Sequence, residues 1–139
     1  MPYPEQLCAP MRADLTAVGF QELKTPEDVK NTFSNNEGTM LVIVNSVCGC
    51  AAGAARPGVK MALSEGSHKP SKLTTVFAGQ DVEAVAEARK FMLPYPPSSP
   101  SMALFKDGKL VHFIERHQIE GRTAMMISEH LKAVFEEYC

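Results

Sequence analysis

The chain has no tryptophan, few aromatic residues and no apolar run approaching the roughly 18 residues that span a bilayer. A charged segment followed by an apolar signal core is also missing near Met1, so a soluble, cytoplasmic protein without membrane contact is expected. There is no basic run: 14 Lys and Arg against 16 Asp and Glu give a net charge of −2 with the signs interspersed, which argues against nucleic acid or an anionic membrane surface as partner. Cysteine is scarce as well. Four thiols in a chain of 139 residues do not make the disulfide framework of a small secreted domain, and no second Cys or His pair has the spacing of a structural zinc site. No internal repeat or compositional break divides the chain. With 45% hydrophobic residues it has material for one core, and residues 1–139 are expected to form a single domain.

What is present is a pair of thiols in an informative place. Cys48-Gly49-Cys50 follows an apolar strand-like run, Met40-Leu41-Val42-Ile43-Val44, and opens a small-residue segment, Ala51 to Ala55, that reads as a helix start. The first turn of a helix presents unpaired N–H groups and the positive end of its dipole, and both favour thiolate over thiol. Cys48 is therefore expected to have a depressed pKa and to act as a nucleophile, with Cys50 resolving the mixed disulfide. Residues two apart on a helix point to nearly opposite sides, whereas a disulfide needs Cβ atoms within roughly 3.5–4.5 Å. A Cys48–Cys50 bridge must distort the turn, which Gly49 permits because it has no Cβ, so the bridge is expected to be labile and oxidising.

Along the chain, Pro2 to Pro10 reads as irregular, Met11 to Val18 as a short helix and Gly19 to Leu23 as a half-buried strand. Thr25-Pro26-Glu27-Asp28 has the chemistry of a helix start, and Asn36-Glu37-Gly38 closes that helix. A strand at Thr39 to Asn45 leads through the cysteines into a helix from Gly49 to about Ser64, kinked at Pro57. Leu73 to Phe77 is a strand, and Asp81 caps a helix ending near Met92. The loop Pro94 to Pro100 precedes two strands, Ser101 to Phe105 and Lys109 to Ile114, joined at Asp107-Gly108. Thr123 caps a closing helix in which Met126, Ile127, His130, Leu131, Val134 and Phe135 share a face.

This order predicts an α/β fold: a parallel βαβ unit extended by an antiparallel hairpin, a central mixed sheet with helices on both faces. The arrangement resembles thioredoxin, with a cysteine pair between a strand and a helix, a proline directly before the hairpin, and Leu104-Phe105-Lys106-Asp107-Gly108-Lys109 similar to the hairpin of that fold. In thioredoxins the pre-hairpin proline is cis and lies beside the cysteines, and Pro100 is the candidate, while Pro96 and Pro97 read as ordinary loop prolines. Thioredoxin itself has two residues between its cysteines and a tryptophan before the first, neither of which is found here. Val44-Asn45-Ser46-Val47-Cys48-Gly49-Cys50-Ala51-Ala52-Gly53, Ala55-Arg56-Pro57, Val76-Phe77-Ala78-Gly79-Gln80-Asp81, Pro97-Ser98-Ser99-Pro100-Ser101-Met102-Ala103-Leu104 and Val111-His112-Phe113-Ile114, with Arg116-His117, Ile119-Glu120-Gly121 and the terminal Cys139, closely resemble the bacilliredoxin family.

The resemblance implies removal of bacillithiol, a small thiol, from proteins that carry it as a mixed disulfide after oxidative stress. Cys48 would attack and carry the adduct; free bacillithiol or Cys50 would discharge it, the latter leaving a Cys48–Cys50 disulfide for a reductase system. Bacillithiol enters as a substrate thiol, with no tightly bound cofactor and no metal. Gly49, Ser99, Pro100 and Ser101 are expected to line the substrate, although the two serine hydroxyls serve equally well as loop caps. The malate group of bacillithiol carries carboxylates, for which Arg56, Arg116 and His117 are candidate contacts or, on the other reading, solvated or salt-bridged groups. Glu115, His117 and Glu120 are candidate bases or surface residues; His68, His112 and His130 receive no role, and Cys8 and Cys139 stay outside the catalytic set. The alternatives are a general protein disulfide isomerase or reductase and, from another class, a metal-binding module built on the Cys-Gly-Cys pair.

Overall fold

A computed structural model describes residues 3–35 and 37–139, so the irregular start expected at Pro2 and the helix end expected at Asn36 fall partly outside it. The helices are α1 (Glu5–Thr16), α2 (Pro26–Ser34), α3 (Arg56–Glu65), α4 (Val82–Arg89) and α5 (Ala124–Tyr138). The strands are β1 (Gln21–Glu22), β2 (Thr39–Asn45), β3 (Lys72–Phe77), β4 (Ser101–Lys106) and β5 (Lys109–Ile114). They form one mixed sheet in the order β1-β3-β2-β4-β5, the first three parallel and the last two antiparallel. Among the described residues no helix is long and apolar enough to cross a membrane.

All seven residues of β2 are buried, as a central strand covered on both faces requires. Leu41 and Ile43 join one core with Leu15, Val59, Ile127, Leu131 and Phe135 from α1, α3 and α5. Their alternating neighbours Met40, Val42 and Val44 join the other with Val29, Ala84, Val85 and Ala88 from α2 and α4. Pairing of Asn45 with Phe77, Val44 with Ser101 and Met102 with Ile114 brings the ends of β2, β3 and β5 to the start of β4, on one edge of the sheet. The cysteine turn leaves β2 at this edge.

Local chemistry accounts for most helix starts. Thr25 accepts the Asp28 N–H at 3.1 Å while the Asp28 carboxylate accepts the Thr25 N–H at 3.3 Å, a reciprocal cap with Pro26 in the first helical position. Thr123 likewise accepts the Met126 N–H at 3.2 Å. Asp81 is different. Its side chain makes no cap and instead grips Arg12 at 2.7 and 3.1 Å, an ion pair across 69 residues that outcompetes the local bond.

That pair also explains why α1 begins at Glu5 rather than Met11. Cys8, Arg12 and Leu15 bury one side of the helix, Glu5 and Asp81 hold Arg12, and Pro10 sits on the exposed side, where its missing N–H is tolerated. After the cysteines the chain makes a π-helical turn, Ala51–Ala55, in which the Arg56 N–H reaches the Ala51 carbonyl. The kink expected inside one helix is thus a widened turn ahead of α3, which places Pro57 in the first turn of that helix, where a proline costs little. Met126 is exposed rather than in the core, because the buried face of α5 begins one residue later at Ile127.

Helices α3 and α5 touch at Gly58: a Cβ there would lie 2.7 Å from Ile127 Cβ and Cγ2. Gly58→Ala is expected to lower stability by roughly 1–3 kcal/mol through overpacking, read as a reduced urea midpoint at unchanged slope.

Candidate active site

The cysteine turn is held from beneath by buried polar groups. Asn45, 1% exposed at the end of β2, accepts hydrogen bonds from Arg56 Nη1 at 2.8 Å and the Ser46 N–H at 2.9 Å, and donates to the Met11 carbonyl at 3.2 Å. Arg56 Nη1 also donates to the Ser46 carbonyl at 2.9 Å, and its Nε lies 3.3 Å from Asp14 as an ion pair without hydrogen-bond alignment. Lys60 joins Asp14 from the solvent side. Arg56 is 4% exposed and paired with Asp14, so of its readings the structure shows the salt-bridged one, as an internal brace rather than a contact for an incoming anion.

On this base Ser46 Oγ accepts the Cys48 N–H at 3.2 Å, and the Cys48 carbonyl accepts the Ala51 and Ala52 N–H groups at 3.1 and 3.3 Å. Cys48 and Cys50 are half-buried free thiols with their sulfurs 2.8 Å apart. Burial pushes the Cys48 thiol up, but hydrogen bonds from the Cys50 thiol, the Ala51 N–H, Ser46 and the Cys50 N–H outweigh it, and the net pKa is lowered. Burial raises Cys50, and its bond to Cys48 and the charge there raise it further. Cys48 is thus the more readily ionised of the pair and Cys50 the thiol that keeps its proton longer. Gly49 is exposed with open space around its α-carbon, leaving the flank of the dithiol accessible, and its backbone does not enter the positive-φ region.

The Ser99–Pro100 bond is cis, at the edge of the sheet where the register also places the cysteine turn; Leu93–Pro94 is cis too, which no feature of the sequence signalled. Ser101 is buried, and its hydroxyl donates to the Ser98 carbonyl at 3.0 Å, so of its two readings the structure shows the loop cap. The Ser99 carbonyl accepts Arg116 Nη1 at 3.1 Å, and Ser98 Oγ accepts the Arg116 N–H at 3.3 Å. Arg116 is close enough for the charges of Cys48 and Cys50 to raise its pKa. Glu120 binds Arg116 Nε at 3.1 Å, and Glu115 pairs with His117 at 3.1 Å, so all three candidate bases are engaged with neighbours.

The remaining thiols lie elsewhere. Cys8 is fully buried in α1, where burial raises its pKa. Cys139 sits by Thr39 and Lys106, a β2 length or roughly 20 Å from the cysteine turn, out of reach of Cys48 in its own chain. His112 and His130 face each other with 3.0 Å between Nε2 atoms, on β5 and α5. Among the described residues no group of three or more His, Cys, Asp or Glu side chains is arranged to hold a metal ion. Sequence reasoning passed over Asn45, whose signal was a lone amide ending an apolar strand, and Asp14, which has no local signal at all.

A two-thiol turn of split acidity, at the end of a central strand and beside a cis-proline, defines a thioredoxin-fold thiol–disulfide oxidoreductase. Solved structures agree on the fold: thioredoxin from Fasciola hepatica matches with a TM-score of 0.58 at 20% identity, covering 86% of this chain and 100% of that one. Mitochondrial thioredoxin 3 from Saccharomyces cerevisiae matches at 0.54 and 16% identity, covering 86% and 96%. The family described as "Disulphide isomerase" matches residues 3–139. A bacilliredoxin from Cytophaga hutchinsonii is 62% identical over 97% of this chain and 98% of its own length, and one from Salinibacter ruber is 51% identical over 100% and 82%. The chain belongs to this family, that of the bacilliredoxins.

Asn45→Ala removes one partner each from Arg56 and the Met11 carbonyl and leaves the buried Ser46 N–H without its acceptor, and is expected to cost roughly 2–3 kcal/mol in urea unfolding. Alkylation of Cys48 at neutral pH should slow in the same variant, because Ser46 is no longer fixed beneath it.

Proposed function

We propose that the protein removes bacillithiol from S-bacillithiolated client proteins in the cytoplasm, with Cys48 as nucleophile and Cys50 as resolving thiol. The reading is supported by the half-buried Cys48–Cys50 pair, its sulfurs 2.8 Å apart and its two thiols shifted in opposite directions, in a chain of 62% identity to a bacilliredoxin. The Cys48 thiolate attacks the bacillithiol sulfur of the mixed disulfide; the bond between that sulfur and the client breaks, and the client leaves as a thiolate that takes a proton from solvent. Cys50 then loses its proton and attacks Cys48, forming the Cys48–Cys50 disulfide and expelling bacillithiol. Two electrons from free bacillithiol or a reductase system return both residues to thiols. The open flank at Gly49 and the Ser99–Pro100 segment would receive the extended adduct.

A second reading, general disulfide exchange among proteins, is favoured by the family's description as a disulphide isomerase. One experiment separates them: mass spectrometry after incubation with a bacillithiolated protein. Cys50→Ser is expected to accumulate bacillithiol on Cys48, and Cys48→Ser to leave the substrate intact. If no form removes the adduct while the native chain rearranges scrambled disulfides, the general reading holds.

A further inference from the structure

The two arginines that the sequence left equivalent are separated by the fold. Arg56 is internal, whereas the Arg116 side chain is 43% exposed and bonded to the Ser99 carbonyl, at the end of the sheet that carries the cysteine turn. It follows β5, whose end lies beside the start of β4, so its backbone meets the Pro100 segment directly. Two contacts fix its guanidinium: Nη1 to the Ser99 carbonyl at 3.1 Å and Nε to Glu120 at 3.1 Å. Nη2 makes no hydrogen bond to the described residues, so with the second Nη1 hydrogen a planar fork remains unspent. A guanidinium held by one carbonyl and one exposed carboxylate is pre-oriented, and an incoming carboxylate can take the unspent side or displace Glu120.

We propose that Arg116 is the anion-recognition residue of this site: it binds a carboxylate on the small thiol attached to Cys48, and selects adducts of carboxylate-bearing thiols over neutral or cationic ones. The inference rests on the reading that the site handles a small-thiol adduct. Arg116 takes no part in bond exchange. The charges that face it are Cys48, Cys50 and Glu120, and in the mixed disulfide Cys48 no longer carries a charge. The guanidinium then has only Glu120 and the resolving thiol as competitors for the ligand's carboxylate. Binding there would hold the adduct while Cys50 attacks.

The test compares one client protein carrying three adducts of similar size, from 3-mercaptopropionate, 2-mercaptoethanol and cysteamine, with a bacillithiol adduct alongside. The native chain is expected to favour the anionic over the cationic adduct about three- to tenfold in kcat/KM, mostly through KM, and to lose the preference as salt rises. Arg116→Gln should bring the ratio close to one, Arg116→Lys should restore part of it, and Glu120→Gln should enlarge it. An equal loss on all three adducts in Arg116→Gln would mean that the residue only braces the Ser99–Pro100 segment, and overturns the inference; so would a ratio that survives the substitution. The bacillithiol arm is independent. If that adduct is removed no faster than 3-mercaptopropionate, the bacillithiol reading fails while the charge preference still decides the role of Arg116.

Discussion

The Cys48 and Cys50 sulfurs lie 2.8 Å apart, and the proton between them stays with Cys50 because Cys48 is the more readily ionised, which makes two chemically identical side chains unequal. A sulfur that accepts hydrogen bonds is stabilised as an anion; a thiol that donates to an anion gives up its own proton less readily. Burial alone raises both thiols, so without directed donors the site would hold two protonated, unreactive groups. The one-residue spacing brings the sulfurs together, and the turn after them supplies the Ala51 N–H as a further donor. The two thiols thus differ in acidity before any substrate arrives.

Holding that turn in place is the task of a buried polar layer beneath it. Asn45 ends the most buried strand with an amide that binds both Arg56 and Ser46, and Arg56 in turn reaches Asp14 on α1. A second buried arginine, Arg12, ties the same helix to Asp81 at the start of α4. These groups bind partners far away in sequence, so each fixes an end of α1 against the edge of the sheet that carries the cysteines. A polar layer in the interior is stable only when its donors and acceptors are paired, and this one is paired almost throughout.

The strand and helix order, the hairpin at Asp107-Gly108, the caps at Thr25 and Thr123 and the position of the cysteine pair were legible in the sequence because they rest on local chemistry or simple periodicity. The departures have one physical origin. Asp81 left its expected cap for Arg12, α1 started six residues early because Cys8 and Arg12 found burial and partners, and Arg56 turned inward to Asn45 and Asp14. Each depends on a partner on another element that no local window contains. Pro57 failed differently: its missing donor was accommodated by a π turn before it, which a helix-or-break reading does not anticipate. The candidate site was readable as a pair of thiols with Cys48 the lower in pKa, but the buried Asn45–Arg56 layer that holds the turn joins distant residues and needs coordinates.

The most direct measurement is a pH titration of thiolate ultraviolet absorbance in the reduced native protein and in Cys48→Ser and Cys50→Ser. Two separated steps are expected in the native chain beyond those of Cys8 and Cys139, the first below the ordinary thiol range. That first step should vanish in Cys48→Ser and persist in Cys50→Ser, whose hydroxyl can still donate to the sulfur. A low step that survives in Cys48→Ser, or two thiols titrating together in the ordinary range, would contradict it.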